Sequence, residues 1–341
     1  MSAKSSFNQS GSSGEGLDRV AEVERRDSSW TGLPRPLYPR WTLPRHPHAD
    51  VTRALYIYHP VTLRGFLGWH AARALAASGG FRSLPPGRPP PAQIRALSEE
   101  TSPGWQILAV ARTNHPQRYV ALLESPAGDQ RFLKVDQNEV GRGFLEREAE
   151  ALKHMGPLLG SPLHAPTVHG HGPGYVLLEG IAWRPRVRAW QLPEEVARSL
   201  GKWFASGDAS QDRGLVHGDF APWNLYRTDR GWTILDWEDA RDHGAPFHDV
   251  FNYVVMSHSL LGRPRQRGVL QGLRGAGWVG AAMRGFAAGA GLDTNGLMDR
   301  FCDYLETSKE KLDLSRRDGR IGLRARERLL LSVAAPRKGT G

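Results

Sequence analysis

Three polar side chains at fixed spacing stand out in the segment LVHGDFAPWNLYRTDRGWTILDWEDA, residues 215–240. Asp219 is followed five residues later by Asn224, and Asp236 comes after the short apolar run WTIL. Moving a phosphoryl group requires metal ions on the phosphate oxygens and a carboxylate near the attacking hydroxyl. Asp219 would be that carboxylate, while Asn224 and Asp236 offer the oxygen ligands that Mg²⁺ prefers. The segment therefore predicts a magnesium-dependent phosphoryl-transfer site.

The string HGDFAPWN, followed by LDWE, resembles the aminoglycoside phosphotransferase and choline kinase branch of the protein-kinase-like fold. In that branch HGD stands where protein kinases have HRD, and D-W-E replaces DFG. The resemblance covers residues 105–258 and implies an α+β, bilobal protein-kinase-like fold, with a small antiparallel-sheet N-lobe and a larger, mainly helical C-lobe. It also implies ATP and Mg²⁺ as cofactors, and a small molecule or saccharide with a hydroxyl group as the acceptor.

Composition narrows the class of protein without identifying a substrate. The chain has 341 residues, 40% of them hydrophobic, which is enough for two lobes with a real core. The single cysteine excludes a disulfide framework, and no apolar run approaches the ~20 residues of a membrane-spanning helix. We therefore expect a cytoplasmic protein. The net charge of +10 favours anionic partners, whether nucleotide phosphates, an acidic substrate, a membrane surface or nucleic acid.

Shifts in composition along the chain suggest its domain organisation. The first residues are rich in Ser, Gly, Glu and Arg and lack a periodic apolar pattern, so they cannot bury enough surface to offset the entropy of ordering. Proline-rich runs separate the following part from the strand patterns of the N-lobe. We predict four segments: 1–29 as a disordered tail, 30–100 as an N-terminal extension and linker, 101–180 as the nucleotide-binding N-lobe, and 181–341 as the catalytic and acceptor-binding C-lobe.

Within the extension, residues 30–48 predict an extended segment lying on a folded surface, because they are dense in Pro, Trp and Arg. Residues 54–60 predict a strand, and residues 81–93 a stiff linker. Residues 61–78 predict a helix that packs on the small lobe through one face. That face carries Leu63, Phe66, Leu67 and His70. Two alternatives stay open: docking of this helix on a membrane, and nucleic-acid binding by the Trp and Arg residues of the arm.

The N-lobe is predicted from three strand patterns, WQILAVAR, RYVALLES and QRFLKV. In a kinase-like fold the loop between the first two strands covers the nucleotide phosphates, normally with glycines. Here that loop has no glycine, so Thr113 and Asn114 would donate to the phosphate oxygens instead. The missing glycines motivate an alternative function, a pseudokinase-like scaffold that binds without turnover.

Lys134 lies in the third of these strands between two apolar residues. Its place before the Glu-rich helix GFLEREAEALKHM resembles the lysine that contacts the nucleotide phosphates in kinases. The family's R-E-A pattern implies that Glu148 is the carboxylate that holds this lysine. The alternative for Lys134 is a solvated residue at a sheet edge.

Further roles are implied by the resemblance and by order along the chain. GYVLLEG would be the last strand of the small lobe, with the backbone of Leu178, Glu179 and Gly180 bonding the adenine. Asp249 matches the aspartate of a G-x-P-x-x-D motif, and we treat it as structural. His217 would be a scaffold residue, with a catalytic histidine as the alternative.

The C-terminal region is predicted to be helical and to build the acceptor pocket. Residues 193–205 predict a buried helix, and three more helices are predicted at 279–288, 297–312 and 323–333. The basic character of this region disfavours polycationic aminoglycosides and favours a neutral or anionic acceptor, such as a sugar that is free or carried on a lipid. Peripheral membrane contact remains open, and nucleic acid is the least favoured partner.

Overall fold

The computed structural model describes residues 29–34, 40–113, 117–207 and 213–334, so most of the predicted tail at 1–29, and Asn114, lie outside the described residues. The strands in these ranges are β1 (Trp30–Leu33), β2 (Trp41–Pro44), β3 (Gln106–Arg112), β4 (Arg118–Glu124), β5 (Gln130–Asp136), β6 (Leu163–His164), β7 (Val168–Gly172), β8 (Tyr175–Glu179), β9 (Trp183–Arg184), β10 (Gly214–Val216), β11 (Leu225–Thr228), β12 (Gly231–Ile234) and β13 (Arg241–Gly244). The helices are α1 (His48–Ala54), α2 (Leu63–Ala77), α3 (Ala92–Thr101), α4 (Glu139–His154), α5 (Glu194–Ala205), α6 (His248–Leu261), α7 (Gln266–Leu273), α8 (Gly277–Ala290), α9 (Leu297–Thr307) and α10 (Arg317–Ala334).

Seven strands form one antiparallel sheet in the order β1-β2-β3-β4-β5-β8-β7. The patterns WQILAVAR, RYVALLES, QRFLKV and GYVLLEG form β3, β4, β5 and β8, so these four predictions are confirmed. Lys134 pairs with Val120 on one side and Val176 on the other, which places it inside the sheet and not at an edge. A sheet followed by several helices confirms the predicted α+β class.

Residues 30–48 contribute strands to this sheet, which goes beyond the extended surface segment that we predicted. β1 pairs with β2, and β2 with β3. Residues 84–91 run along β1, where the N–H of Gly87 donates to the carbonyl of Trp30 at 2.8 Å. The prediction of a linker at residues 81–93 is therefore wrong, because hydrogen bonds to the sheet hold this segment in place. The boundaries of the four segments stay a prediction.

The strand predicted at residues 54–60 is also wrong. α1 ends at Ala54, and a 3₁₀ turn over Leu55–Ile57 follows it. Ala54 is 0% exposed and Leu55 is 6% exposed. Neighbouring side chains are thus buried together, whereas a half-buried strand would alternate between its two faces.

α2 forms where a helix was predicted, but it buries a different face. Thr62 caps it by accepting a hydrogen bond from the N–H of Gly65 at 3.0 Å. Leu63 and Leu67, which we predicted to pack, are 64% and 60% exposed, whereas Trp69 is 2% exposed. The apolar residues of α2 are distributed around all sides of the helix, so their spacing does not predict which side is buried. Among the described helices, neither this one nor any other is long and apolar enough to cross a membrane.

The predicted buried helix at residues 193–205 is α5, which packs closely against α8. Its predicted core side chains are at most 1% exposed: Val196, Leu200 and Trp203. A Cβ on Gly201 would lie 2.1 Å from the carbonyl oxygen of Phe286, so glycine permits the close approach of the two helices. The other predicted C-terminal helices correspond to α8, α9 and α10, although α9 ends at Thr307.

A hairpin of β11 and β12 positions the segment that carries the candidate site. Leu225 and Ile234 are paired across it, and the N–H of Leu235 donates to the carbonyl of Asn224 at 2.9 Å. Asn224, which precedes β11, therefore lies beside the residues that follow β12, and Asp236 is among them.

Candidate active site

Lys134 connects three parts of the fold. Its Nζ donates to Oε1 of Glu148 on α4 at 2.6 Å and to Oδ1 of Asp236 beyond β12. Lys134 is 9% exposed and Glu148 is 1% exposed. Burial alone would lower the pKa of Lys134, but the carboxylates of Asp236 and Glu148 outweigh burial and raise that pKa. The ammonium is therefore charged, and three predicted site residues meet at it.

Asp236 combines an uncommon backbone conformation with a side chain that is 50% exposed. Its φ of 60° lies in the left-handed region, which few residues other than glycine adopt and which recurs at functional sites. Loss of hydration would raise the pKa of Asp236, but the ammonium of Lys134 outweighs it and lowers that pKa. Asp236 is thus an ionised carboxylate that remains accessible to a ligand.

Asp219 and Asn224 are in direct contact. Nδ2 of Asn224 donates to the backbone carbonyl of Asp219 at 2.9 Å and to its Oδ2 at 3.2 Å. The amide NH₂ is used in this way, which leaves Oδ1 of Asn224 as the atom that would bind a metal ion. Burial raises the pKa of Asp219 to about 7, and the charges of Asp236 and Asp239 add to this effect. A carboxyl group with such a pKa exchanges its proton near neutral pH, as a general base must.

A hydrogen-bond chain from α6, α9 and α10 reaches the carboxylate of Asp219. Nδ2 of Asn252 donates to Oδ1 of Asp219 at 3.4 Å and to the carbonyl of Phe220 at 3.2 Å. The hydroxyl of Tyr304 donates to Oδ1 of Asn252 at 2.8 Å, and Nη2 of Arg326 donates to the Tyr304 oxygen at 3.4 Å. These three residues were not predicted from the sequence, because they are distant along the chain and belong to no local motif.

The backbone next to Asp219 is held by Asp249. The N–H groups of His217 and Gly218 donate to its two carboxylate oxygens at 2.8 and 3.0 Å. Nε2 of His217 donates to the carbonyl of Leu235 at 3.0 Å, and burial lowers the pKa of this histidine, so the ring is neutral. The structural roles of His217 and Asp249 stay predictions, which these contacts support.

Arg118 on β4 is a further charged residue that the sequence analysis missed. Its Nε donates to Oδ2 of Asp136 at 2.9 Å, and its Nη1 donates to Oε2 of Glu238 at 2.6 Å. Glu238 comes two residues after Asp236. Arg118 therefore ties the sheet to the loop that carries Asp236.

Residues 94–286 match the sequence model of the phosphotransferase enzyme family, APH. The matched range covers more than half of the chain and contains Lys134, Glu148, Asp219, Asn224 and Asp236. The chain belongs to this family. The predicted resemblance is thereby confirmed.

Solved structures of other phosphotransferases match the chain at low sequence identity. An amicoumacin kinase in complex with AMP-PNP and Ca²⁺ is 12% identical, with a TM-score of 0.46 over 71% of this chain and 94% of that one. A macrolide 2′-phosphotransferase from Brachybacterium faecium is 14% identical, with a TM-score of 0.46 over 73% of this chain and 100% of that one. The ternary complex of APH(2″)-IIa with streptomycin and ATP is 10% identical, with a TM-score of 0.47 over 69% and 95%. No curated protein matches the chain.

In this phosphotransferase the N–H groups predicted to bind adenine are engaged within the protein. The N–H of Glu179 donates to the carbonyl of Thr167 at 2.8 Å, and that of Gly180 donates to Gln130 at 2.9 Å. Leu178 lies inside the sheet and is 2% exposed. The role of this backbone in base binding stays a prediction, and these two N–H groups would first have to give up their present partners.

The loop predicted to cover the phosphates is described only in part. The N–H of Thr113 donates to the carbonyl of Arg118 at 3.0 Å and so closes the end of the β3–β4 connection. Asn114 lies outside the described residues. Phosphate binding by these two residues stays a prediction.

The side chains of the site fit Mg²⁺ when nucleotide and water complete its coordination. In the part of the chain that the structure describes, no group of three or more His, Cys, Asp or Glu side chains could hold a metal ion. The phosphotransferase offers one amide oxygen from Asn224 and one ionised carboxylate from Asp236. Mg²⁺ commonly binds one or two protein oxygens, with phosphate oxygens and water as its other ligands.

Proposed function

We propose that this phosphotransferase transfers the terminal phosphoryl group of ATP, with Mg²⁺ bound, to a hydroxyl group of a small molecule or saccharide. The observation that carries the proposal is the bridge from Lys134 to Glu148 and Asp236, beside the Asp219–Asn224 contact. A buried cation, an accessible carboxylate, an amide oxygen and a carboxyl group that titrates near neutrality form the set that phosphoryl transfer needs.

Each residue then has one task. Lys134 holds the phosphate oxygens, and the carboxylate of Glu148 keeps Lys134 in place. Asn224 and Asp236 hold Mg²⁺, which when bound neutralises charge on the phosphates. Asp219 accepts the proton of the acceptor hydroxyl and orients its oxygen toward the phosphorus.

The acceptor that we propose is neutral or anionic, such as a sugar that is free or linked to a lipid. The support comes from α10, which reaches Asp219 through the chain of Arg326, Tyr304 and Asn252. This helix carries five arginines against two acidic residues, and positive charge repels polycationic aminoglycosides. A peripheral membrane contact through the exposed leucines of α2 is a separate and weaker proposal.

The direct test is transfer of label from γ-labelled ATP to a metabolite library or a fractionated cell extract. A labelled product that requires Mg²⁺ supports the proposal. The pseudokinase alternative gives nucleotide binding but no labelled product from any acceptor.

We expect Asp236→Ala to weaken the binding of magnesium-ATP by tenfold or more, about 1.4 kcal/mol. The variant loses one of the two proposed metal ligands, whereas Lys134 keeps Glu148 as a buried partner. Calorimetric titration at fixed Mg²⁺ measures the affinity, and a melting curve checks the fold. An affinity equal to that of the wild type would contradict the metal-binding role of Asp236.

We expect Tyr304→Phe to lower kcat about two- to twelvefold, because a neutral hydrogen bond contributes about 0.5–1.5 kcal/mol. The variant loses the hydroxyl that orients the Asn252 amide against Asp219. The KM for ATP should stay within about twofold, since the nucleotide site is untouched. Tyr119→Phe on β4 is the matched control. Equal changes in kcat and KM would point to a general loss of structure instead.

A further inference from the structure

Three apolar side chains are close along the chain to residues of the proposed phosphate site, and we call the region that they and those residues line the donor cleft. Phe132 comes two residues before Lys134 and shares its face of β5. Tyr226 follows Asn224 by two residues, and Leu235 directly precedes Asp236. A nucleotide whose phosphates contact Lys134 would place its base against such a surface, because flat bases bind by stacking and apolar contact.

This surface is covered by the chain itself. The three side chains belong to one apolar cluster with residues of the N-terminal extension, which include Leu55, Tyr56, Ile57, Tyr58 and Trp69. Trp183 completes the cluster, and its Nε1 donates to the carbonyl of Tyr56 at 2.9 Å. The extension therefore fills the position next to the phosphate site that a base would occupy.

His59 contacts this surface with a flat ring that stacks on Tyr226, as a nucleotide base would. Its ring stacks on the ring of Tyr226, with 4.0 Å between centroids and 26° between planes, and it meets Trp183 edge-on at 4.9 Å. His59 is 8% exposed, and within the described chain neither ring nitrogen has a hydrogen-bond partner. Burial and the charge of Arg186 lower the pKa of His59 to about 3, so the ring is neutral. An uncharged imidazole has the same ring skeleton as the five-membered half of a purine.

The segment that carries His59 lies outside the sheet. Residues 58–62 lie between the 3₁₀ turn and α2 and belong to neither a helix nor a strand. The two ring nitrogens would regain hydrogen bonds to water if His59 left the cleft. Stacking holds the ring in place, while its unsatisfied nitrogens favour release.

We propose that residues 55–60 form a plug that occupies the base end of the donor cleft, so that a nucleoside must displace His59 before it can bind. The inference rests on the proposed function, because it takes the phosphate site from it. In the plugged state the donor is held through its phosphates alone. Only the molecules in which the plug has left can also bind the base. The contribution of the base to the apparent affinity for ATP is therefore scaled down by the small fraction of such molecules.

Calorimetry with magnesium complexes of ATP and of inorganic triphosphate separates the two ends of the cleft. For the wild type we expect the two affinities to lie within about threefold of each other, since the base adds no contact while the plug is in place. His59→Ala removes the stacked ring and should raise ATP affinity about tenfold. His59→Phe keeps the ring without buried nitrogens, so ATP affinity should fall only to that of triphosphate and the melting temperature should rise. Triphosphate affinity should stay within about twofold in both variants.

The matched control is His70→Ala, because His70 lies on the exposed side of α2 next to Phe66 and Trp69 and should alter neither affinity. Hydrogen exchange of residues 55–60 gives a second readout: in the wild type it should stay slow with either ligand bound, and in His59→Ala it should be faster. The plug is contradicted if the wild type binds ATP tenfold or more tightly than triphosphate and both His59 variants weaken ATP. It is equally contradicted if ATP affinity is the same in all three proteins. Absence of triphosphate binding in every protein contradicts the proposed function, and this inference with it.

Discussion

We expect Asp219→Asn to lower turnover by roughly 10²–10⁴, about 3–5 kcal/mol, with magnesium-ATP affinity near that of the wild type. As the base, Asp219 acts on the acceptor hydroxyl mainly in the transition state, so nucleotide binding should hardly change. The asparagine keeps the volume and one carbonyl oxygen, which can still accept from Nδ2 of Asn224. Product formation from labelled ATP measures the effect, and slow hydrolysis of ATP to water serves until an acceptor is known.

The matched control is Asp242→Asn, which removes a charge from the same stretch of chain. The Asp242 side chain is 65% exposed and carries no proposed role. Its loss should leave turnover within about twofold, because screened surface charges contribute little. If Asp219→Asn turned over as fast as this control, Asp219 would not be the base.

The same variant should change how stability depends on pH in metal-free buffer. The pKa of Asp219 is about 7 in the folded protein, above the ordinary value of 3.8 for an aspartate carboxyl group. The unfolded chain therefore releases this proton first as the pH rises, and the wild type loses up to about 2–4 kcal/mol of unfolding free energy between about pH 4 and pH 7. Asp219→Asn lacks this loss, so the difference in stability between the two proteins should grow over that window and then stay constant. Denaturant titrations in EDTA would show it.

The parts of the site that lie close together along the chain could be predicted from the sequence. Asp219, Asn224 and Asp236 flank a single hairpin, so their spacing alone brings them together once β11 and β12 pair. Lys134 and Glu148 lie on an adjacent strand and helix, and a known sequence pattern links them. Residues that are close in the sequence can be placed relative to one another because the secondary structure between them fixes their distance.

The parts that depend on distant contacts could not be predicted. Arg118 and Glu238 form a hydrogen bond although they are 120 positions apart in the sequence, and Asn252 and Tyr304 do so at a separation of 52. β1 and β2 are only four residues long, too short for a recognisable strand pattern. They are strands because β2 pairs with the edge of β3, and β1 pairs with β2. The position of His59 could not be predicted either, because it depends on contacts with Tyr226 and Trp183, which are distant in the sequence.

We expect Lys134→Met to cost about 3–5 kcal/mol of unfolding free energy and to abolish measurable binding of magnesium triphosphate. The ammonium is the buried partner of Glu148, which is 1% exposed, and removing one member of a buried ion pair leaves the other charge uncompensated. Within the described chain Oε2 of Glu148 has no hydrogen-bond partner, so no second donor would stabilise the Glu148 carboxylate once Lys134 is lost. Urea denaturation gives the stability, and calorimetry gives the binding.

The double variant Lys134→Met/Glu148→Leu separates the two effects. Replacing both members of a buried ion pair by apolar side chains of similar volume is often nearly neutral, so most of the lost stability should return. Binding of the phosphates should not return, because the cation that contacts them is still missing. A double variant that is stable and binds triphosphate like the wild type would show that Lys134 does not hold the phosphates. A single variant as stable as the wild type would show instead that Glu148 takes up a proton in place of the ammonium, as a carboxyl group can when it is buried without a partner.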